Sequence, residues 1–579
     1  MSINLFLNGL PVSAEAGQTV LQVAKENNIK IPTLCYLFDK TTGLTHNPAA
    51  CRVCMVEIKG RRNLAPACVT EVSEGMEILT NTQKARLARK TNLELLLSDH
   101  PKDCFVCEKS GKCELQKLSE DLGVDRLRYE GAMSKSNVPV VGTAYTRDDA
   151  KCVLCGRCVD ACKQYQEIAV ISATKRGFAT TISGEFGLSS NEIACINCGQ
   201  CVKVCPTGAL LATNQTEAVF EALNDPEKYV VVHTAPSTRV SLGEEFGLPI
   251  GTNVQGKMVH ALRLLGFKKI FDTNFGADLT IMEESNEFLD RVLKGTGKLP
   301  LMTSCCPGWV KYVEHYYPEF LDNLSSCKSP QGMQAALIKS YFAEKEGIDP
   351  KKIITVSIMP CIAKKFESAR AELGKDGIPD NDISISVKEL AVMIRKAGIQ
   401  FNSLNDQTYD SLLGEGTGAA DIFGNTGGVM EAVVRNAAFL IDKQETDVDI
   451  ITLRGEAGIT RSTLNIGGHQ LKLAVASGLA NAKLLLDAVK AGTESYDAIE
   501  IMACPGGCIN GGGQPEHPVD VEYSDILKTR HATIRGIDKK KVHRISAQNS
   551  EIQALYKDYL KKPGSHKAHE LLHTHFTKR

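Results

Sequence analysis

Apolar and polar positions alternate in two short runs over residues 3–14, and Asn8-Gly9 between them supplies the turn of a hairpin. Helical periodicity follows from about Gln18 to Asn27 and predicts an amphipathic helix. Residues 83–125 hold few β-branched residues and many Lys, Leu and Glu, which predicts a helical stretch. From about Asn214 the texture changes to β-rich apolar runs separated by helical segments. Tyr229–His233, Lys269–Thr273, Ile353–Ile358, Lys472–Ala476 and Ala498–Met502 read as short buried strands. In sheets of this kind, ligands sit at the carboxyl ends of the strands. Ala235-Pro236-Ser237, Met359-Pro360-Cys361 and Met502-Ala503-Cys504 each lie just beyond such a run, so loops distant in sequence can converge there.

A chain of 579 residues is too long for one core and predicts several domains. Its net charge of −1 gives no global field for nucleic acid or an anionic membrane. No apolar run is long enough to span a bilayer, and the start lacks a basic export signal, so the expected location is cytoplasmic.

Cysteine changes the picture. There are 21, fifteen of them between Cys35 and Cys205, in tight C-x2-C groups that suit metal centres better than disulfides. Cys35, Cys51, Cys54 and Cys68 follow the order long gap, C-x2-C, long gap, C. This resembles the plant-type 2Fe–2S ferredoxin, a β-grasp fold also found in the large iron–sulfur subunit of respiratory complex I. A single structural zinc on the same four thiols is the alternative. His100, Cys104, Cys107 and Cys113 can hold a 4Fe–4S cluster with one imidazole ligand in a small helical domain. The same order, one histidine and then three cysteines, occurs in complex I and in FeFe hydrogenases.

Cys152, Cys155, Cys158 and Cys162 form C-x2-C-x2-C-x3-C, and Cys195, Cys198, Cys201 and Cys205 repeat it 43 residues later. This is the bacterial two-cluster ferredoxin pattern, in which each fourth cysteine serves the other cluster. Cys152, Cys155, Cys158 and Cys205 are expected to hold one 4Fe–4S cluster, and Cys195, Cys198, Cys201 and Cys162 the other. Fifteen cysteines and His100 thus make sixteen ligands for one 2Fe–2S and three 4Fe–4S clusters. No G-x-G-x-x-G follows a strand, so no nicotinamide or flavin is expected on this chain itself.

Three remaining loops carry the most specific likeness. Thr303-Ser-Cys-Cys-Pro-Gly-Trp309, Met359-Pro-Cys-Ile-Ala-Lys-Lys365 and Met502-Ala-Cys-Pro-Gly-Gly-Cys508, with Gly511-Gly-Gly-Gln-Pro515, resemble the signature loops of FeFe hydrogenases. The likeness covers essentially the whole chain. It implies a multidomain α+β protein: a 2Fe–2S domain over residues 1–82, the histidine-ligated 4Fe–4S domain over 83–140 and the two-cluster domain over 141–213. A large α/β catalytic domain over 214–515 and a small-subunit-like tail over 516–579 complete it. The implied reaction is 2 H+ + 2 e− ⇌ H2 at an H-cluster. There Cys306, Cys361, Cys504 and Cys508 hold a 4Fe–4S cubane, and Cys508 bridges to a diiron unit bearing carbonyl, cyanide and dithiolate ligands. By the same resemblance Lys364 donates to one cyanide, Pro236 and Ser237 contact the other, and Met359, Met502 and Phe423 form the walls.

The resemblance also implies a proton relay from Cys305 through Glu284, Ser325 and Glu287 to Arg291. Glu284, Glu287 and Arg291 share one helical face, an arrangement that a solvated acidic face also explains. Cys327 is expected to be a buried core thiol. The tail histidines His566, His569, His573 and His575 allow a zinc reading, but the tail is expected to wrap the catalytic domain as structure. Expected partners are hydrogenase maturation proteins and either ferredoxin or flavin-bearing NAD(P)- or formate-linked subunits. A non-catalytic assembly factor or a sensory relative is the alternative function.

Overall fold

The computed structural model describes residues 2–39, 43–135, 138–442, 449–454, 458–517 and 523–579. Asn8 and Gly9 both adopt positive φ (54° and 84°), and the strands Ser2–Leu7 and Leu10–Glu15 pair antiparallel across them. They join a five-stranded sheet, in the order Leu10–Glu15, Ser2–Leu7, Glu77–Leu79, Met55–Ile58, Ala65–Pro66. The helix Val20–Glu26 starts at a capping box between Thr19 and Gln22. It buries Val20, Val23 and Ala24 against Leu5, Leu7, Val56 and Ile78.

The helical stretch expected over residues 83–125 is instead two helices, Gln83–Ser98 and Glu114–Asp121. Between them lie loops and one tight turn, Cys104–Val106. Pro101 has no amide hydrogen to donate, and Gly111 takes φ 77°, so composition was a poor guide where the cysteines dictate the path. The repeat that follows is visible in the backbone. Two four-residue helices, Arg157–Asp160 and Gln200–Lys203, are each entered through a left-handed glycine, Gly156 and Gly199.

The large α/β unit contains two four-stranded sheets. One runs Lys269–Asp272, Tyr229–Thr234, Ile353–Met359, Ile383–Ser386, all parallel. The other runs Leu301–Met302, Ala498–Met502, His469–Ser477, Gly458–Ile466, with only the last strand antiparallel. All five anticipated strands are present, but the one expected to reach Thr273 stops at Asp272. The Asp272 side chain accepts from the amide of Asn274 and starts the helix Thr273–Lys294. This helix packs against Pro330–Leu337 and Gly428–Asp442. The C-terminal tail wraps the unit: Leu527 and Ile534 join Val240, Ile422 and Ile509, while Ile552, Leu555 and Leu572 join Phe271, Phe275 and Cys327. The whole is a mixed α/β, multidomain chain. None of its described helices is long and apolar enough to cross a membrane.

Candidate catalytic site and cluster chain

The parallel strands of both sheets deliver their carboxyl ends to one buried region. Tyr229–Thr234 leads into Pro236 and Ser237, Ile353–Met359 into Cys361, Leu301–Met302 into Cys305 and Cys306, and Ala498–Met502 into Cys504 and Cys508. The close loops require glycine. A Cβ on Gly507, at φ 95°, would lie 2.8 Å from the Thr426 amide nitrogen, and one on Gly511 would lie 2.3 Å from the Pro360 carbonyl oxygen. The four thiols meet there. Burial raises Cys504 well above its ordinary value, and Cys361, Cys306 and Cys508 push it further. Met502 and Phe423 share a core with the half-buried Cys305 and Cys508, and Met359 is buried.

All 21 cysteines are unbridged thiols. Among the described residues, only Glu287, Cys327 and His573 bring three metal-type ligand atoms within 4.8 Å of one another. Zinc–sulfur bonds of about 2.3 Å would hold tetrahedral thiolates roughly 3.8 Å apart, so none of the cysteine sets is drawn in for a single zinc. Cys54 and Cys68 instead pair at 3.5 Å between sulfurs, and Cys35 pairs with Cys51. Two thiol pairs suit two irons better than one. Cys152, Cys155, Cys158 and Cys205 line one pocket. Cys162 and Cys205 have crossed over: burial and then Cys195 raise the Cys162 thiol, whereas Cys205 acts on Cys152, Cys155 and Cys158. His100, Cys104, Cys107 and Cys113 line one open cleft, where the buried Nδ1 of His100 has no protein partner.

These sets abut in sequence. Cys35, Cys51, Cys113 and Cys155 border one apolar cluster. The Glu114 amide donates to the Pro206 carbonyl at 2.9 Å, beside Cys205. Cys198 feels the charge of Cys504, and a Cβ on Gly512 would come 2.8 Å from Cα of Gly199.

The oxygen and nitrogen groups form a separate network. Glu284 is fully buried, neither carboxylate oxygen has a hydrogen-bond partner, and burial followed by the charge of Glu287 pushes its pKa up to about 8. Ser325 lies close enough to favour the charged form, though no hydrogen bond joins the two. Cys305 is raised well above the thiol range by burial and by Glu284. Glu287, by contrast, is fully engaged: Oε2 accepts from Ser325 Oγ at 3.1 Å and Ser326 Oγ at 3.2 Å, and Oε1 accepts from Arg291 Nη2 at 2.5 Å. The expected face Glu284, Glu287, Arg291 is therefore inward and largely buried, not a solvated acidic face.

Lys364 Nζ donates to Glu367 Oε2 at 2.7 Å, Ser329 Oγ at 2.8 Å and the Cys305 carbonyl at 3.2 Å. Burial disfavours its charge, yet Glu367 more than offsets this and holds the amine above its usual pKa. The buried Ser237 hydroxyl has no protein partner. A cation that feels the Cys361 and Cys305 thiols, and a buried hydroxyl with no protein partner, fit an anionic, acceptor-rich organometallic group.

Family comparisons agree with this arrangement. Residues 228–512 match the iron only hydrogenase large subunit, C-terminal domain, and 524–579 the iron hydrogenase small subunit. A 2Fe-2S iron-sulfur cluster binding domain matches 1–83, the NADH-ubiquinone oxidoreductase-G iron-sulfur binding region 89–128, and a 4Fe-4S dicluster domain 134–209. The chain is 47% identical to the NADP-reducing hydrogenase subunit HndD of Solidesulfovibrio fructosivorans, over 100% of this chain and 99% of that one. The chain belongs to the iron-only hydrogenase family. Iron hydrogenase 1 of Clostridium pasteurianum is 40% identical to this hydrogenase over 99% of its length and 100% of the relative's. A variant of the apo [FeFe]-hydrogenase of Chlamydomonas reinhardtii superposes with a TM-score of 0.57 at 38% identity, covering 63% of this chain and 99% of that one.

Sequence reasoning missed Glu367 and Ser329, which fix the Lys364 ammonium. Glu367 was within reach as the i+3 partner on a short helix; Ser329 comes from a different element and left no local signal. It also missed the contact of His573 with the acidic helix, described below.

Proposed function

We propose that this hydrogenase is the catalytic subunit of an FeFe enzyme that interconverts 2 H+ + 2 e− and H2 and draws on four accessory clusters. The observation that carries this reading is the meeting of Cys306, Cys361, Cys504 and Cys508 beside a spare thiol, Cys305, that opens onto Glu284. Cys306, Cys361, Cys504 and Cys508 would hold the cubane of an H-cluster, with Cys508 also reaching its diiron unit. When bound, that group supplies the metal centre at which protons and electrons combine. Lys364 and the Pro236–Ser237 turn would hold its cyanide ligands by hydrogen bonds, and Met359, Met502 and Phe423 would exclude water with soft, apolar walls.

Protons reach the site through Cys305, Glu284, Ser325, Glu287 and Arg291. Glu284, neutral near pH 7 and without a hydrogen-bond partner, is free to pivot between the thiol and Ser325. Two gateways for electrons would be a 2Fe–2S cluster held by Cys35, Cys51, Cys54 and Cys68 and a 4Fe–4S cluster held by His100, Cys104, Cys107 and Cys113. Their residues lie near those of a set, Cys152, Cys155, Cys158 and Cys205, that would hold a further cluster, and Cys195, Cys198, Cys201 and Cys162 would hold the one beyond it. The 2Fe–2S part takes the β-grasp fold, and the divisions fall near residues 82, 140, 213 and 515. Two gateways suit a subunit that docks flavin-bearing NAD(P)- or formate-linked partners as well as ferredoxin, in the cytoplasm. The non-catalytic assembly or sensory reading is weaker, because both full-length relatives are hydrogenases and Cys305, Lys364 and the acidic network occur together.

Anaerobic purification after maturation, followed by infrared spectroscopy, tests the claim. Bands of metal-bound carbonyl and cyanide are expected, and their absence from protein matured alongside an active control would sink it. What co-elutes with the native protein identifies the electron partner.

A further inference from the structure

The relay reading leaves a chemical difficulty at its outer end. Arg291 is the expected last member, but a guanidinium does not release its proton in water. It is also tied down, donating to the carbonyls of Lys298, Asn323 and Leu324 as well as to Glu287. It can orient Glu287, yet it cannot pass a proton on. A group that can take a proton on one atom and give it from another is needed next to Glu287.

The C-terminal tail supplies one. The chain around His573 bridges to Cys327: the Thr574 amide donates to Ser326 O and the Lys328 amide to Leu572 O, both at 2.8 Å. This docks the His573 ring against the acidic helix. Its Nδ1 lies 2.8 Å from Ser326 Oγ, whose hydroxyl donates to Glu287 Oε2 at 3.2 Å. Its Nε2 lies 3.2 Å from Oε2 of Glu283, a buried carboxylate that also accepts from Tyr556 OH at 2.6 Å and the Gly564 amide at 2.8 Å. Both ring nitrogens therefore lie within hydrogen-bond reach of an oxygen, so the ring can take a proton on one and give it from the other. The ring lies tilted against His569, 4.2 Å between centroids, and His569 is exposed. The charged and titratable groups around His573 are Glu283 and Glu287 on the acidic helix, Cys327 across the bridge, Tyr556, and His566 and His569 on its own helix.

We propose that His573 is the proton-exchanging outer member of the relay, linked to Glu287 through Ser326 and to solvent past His569. This rests on the relay reading given above. In the direction of H2 formation, the neutral His573 ring, carrying its proton on Nδ1, accepts a second proton from water at Nε2. The Nδ1 proton then passes to the Ser326 hydroxyl while the Ser326 proton passes to Glu287, and a flip of the ring returns the remaining proton to the Nδ1 side. No electron moves in this step: water gives up one proton, Glu287 gains one to pass inward, and His573 and Ser326 end with the protons they began with. H2 oxidation runs the same steps in reverse. The tail thereby serves proton traffic as well as packing.

The test uses the matured full-length enzyme, with H2 production driven by a reduced viologen dye. His573→Ala should lower the rate by about threefold to tenfold, below the roughly 10²–10⁴-fold typical of an acid–base group at the reacting atoms, because water can partly replace an outer carrier. The loss should grow as pH rises and water supplies fewer protons. Added imidazole should restore it, while the carbonyl and cyanide infrared bands stay in place. Ser326→Ala, which leaves the tail histidine in position, should show the same pH dependence without rescue. An unchanged rate across the pH range, or a uniform loss that imidazole does not relieve, would overturn the proposal. Glu287→Gln separates the two readings: if it retains full activity the relay itself is wrong, whereas its collapse beside an indifferent His573→Ala removes only the tail branch.

Discussion

The cysteine-rich N-terminal third and the acidic helix Thr273–Lys294, the proposed paths for electrons and for protons, are built differently. Each cluster set is gathered mainly by residues within one short segment, and neighbouring sets merely abut, as at Gly199 and Gly512. The proton side is drawn from separate elements: Glu287 on the helix is bonded to Ser325 and Ser326 on a loop, Ser326 reaches His573 from the tail, and Glu284 lies buried without a hydrogen bond one turn back. Electrons cross gaps between centres by tunnelling, so placement in the right neighbourhood suffices. Protons move only along hydrogen-bonding groups within reach of one another, so each member must be held in place. Damage to the two sides should therefore differ in kind.

The largest effect is expected at the junction. Cys305→Ser should reduce turnover by about a thousandfold, in the middle of the range for a lost acid–base group. The infrared bands and the iron content should stay at parent levels. Exchange between D2 and water, which needs protons but no external electrons, should collapse together with dye-coupled turnover. If exchange survives in this variant, the thiol is not the inner proton carrier.

Glu284→Gln comes next, with a loss on the order of a hundredfold, because an amide can accept and donate but cannot titrate. The parent enzyme carries the matching signature. With a pKa near 8, raised by burial and by Glu287, Glu284 holds its proton at neutral pH. H2 production should fall as pH rises through about 8, where this donor becomes a carboxylate. The linkage to stability has the same direction. The folded state binds this proton more tightly than the unfolded chain does, so Glu284 makes the fold progressively less stable from pH 4.5 up to about 8. An alkaline limb that Glu284→Gln leaves in place would assign it to another group.

On the electron side the outcome should divide. Cys205→Ala removes a thiol shared in space with Cys152, Cys155 and Cys158 while lying 43 residues from the position that sequence order alone would pair with them. Turnover with a protein partner or dye should drop severalfold, but D2–water exchange should persist at the parent rate. Loss of both would mean that the cysteine serves the catalytic loops and not the path into them.

The same difference explains what could be read from sequence. Cluster sites announce themselves because ligand spacing is local, so C-x2-C runs specify both chemistry and turn. The strands of the catalytic unit were legible because buried parallel strands are continuous apolar runs. The antiparallel Gly458–Ile466 was not, since its burial alternates and polar residues interrupt it. Within the site, Lys364 came from its motif, whereas Ser329 and His573 act through contacts closed only by folding. Composition misled over residues 83–125 because helix-favouring residues flank a loop whose shape Pro101, Gly111 and the cysteines impose.

The smallest expected effect probes the one place where the electron side needs contact precision. Gly511-Gly512-Gly513 runs so close to its neighbours that a Cβ on Gly512 would sit 2.8 Å from the Gly199 Cα and 3.0 Å from the Cys198 carbonyl oxygen. Both neighbours are backbone and cannot swing aside. Gly512→Ala must therefore part the two-cluster segment from the catalytic loop by a fraction of an ångström, at a cost of about 1–3 kcal/mol typical of overpacking. A lowered midpoint of thermal unfolding checks the packing. The electron rate should decline only slightly, because tunnelling weakens with distance without requiring a bond. D2–water exchange should not change, since no proton carrier lies at this contact. A severe loss of exchange in Gly512→Ala would show that the catalytic loops, and not the gap between modules, had shifted. An unchanged midpoint would mean that the two backbones do not touch.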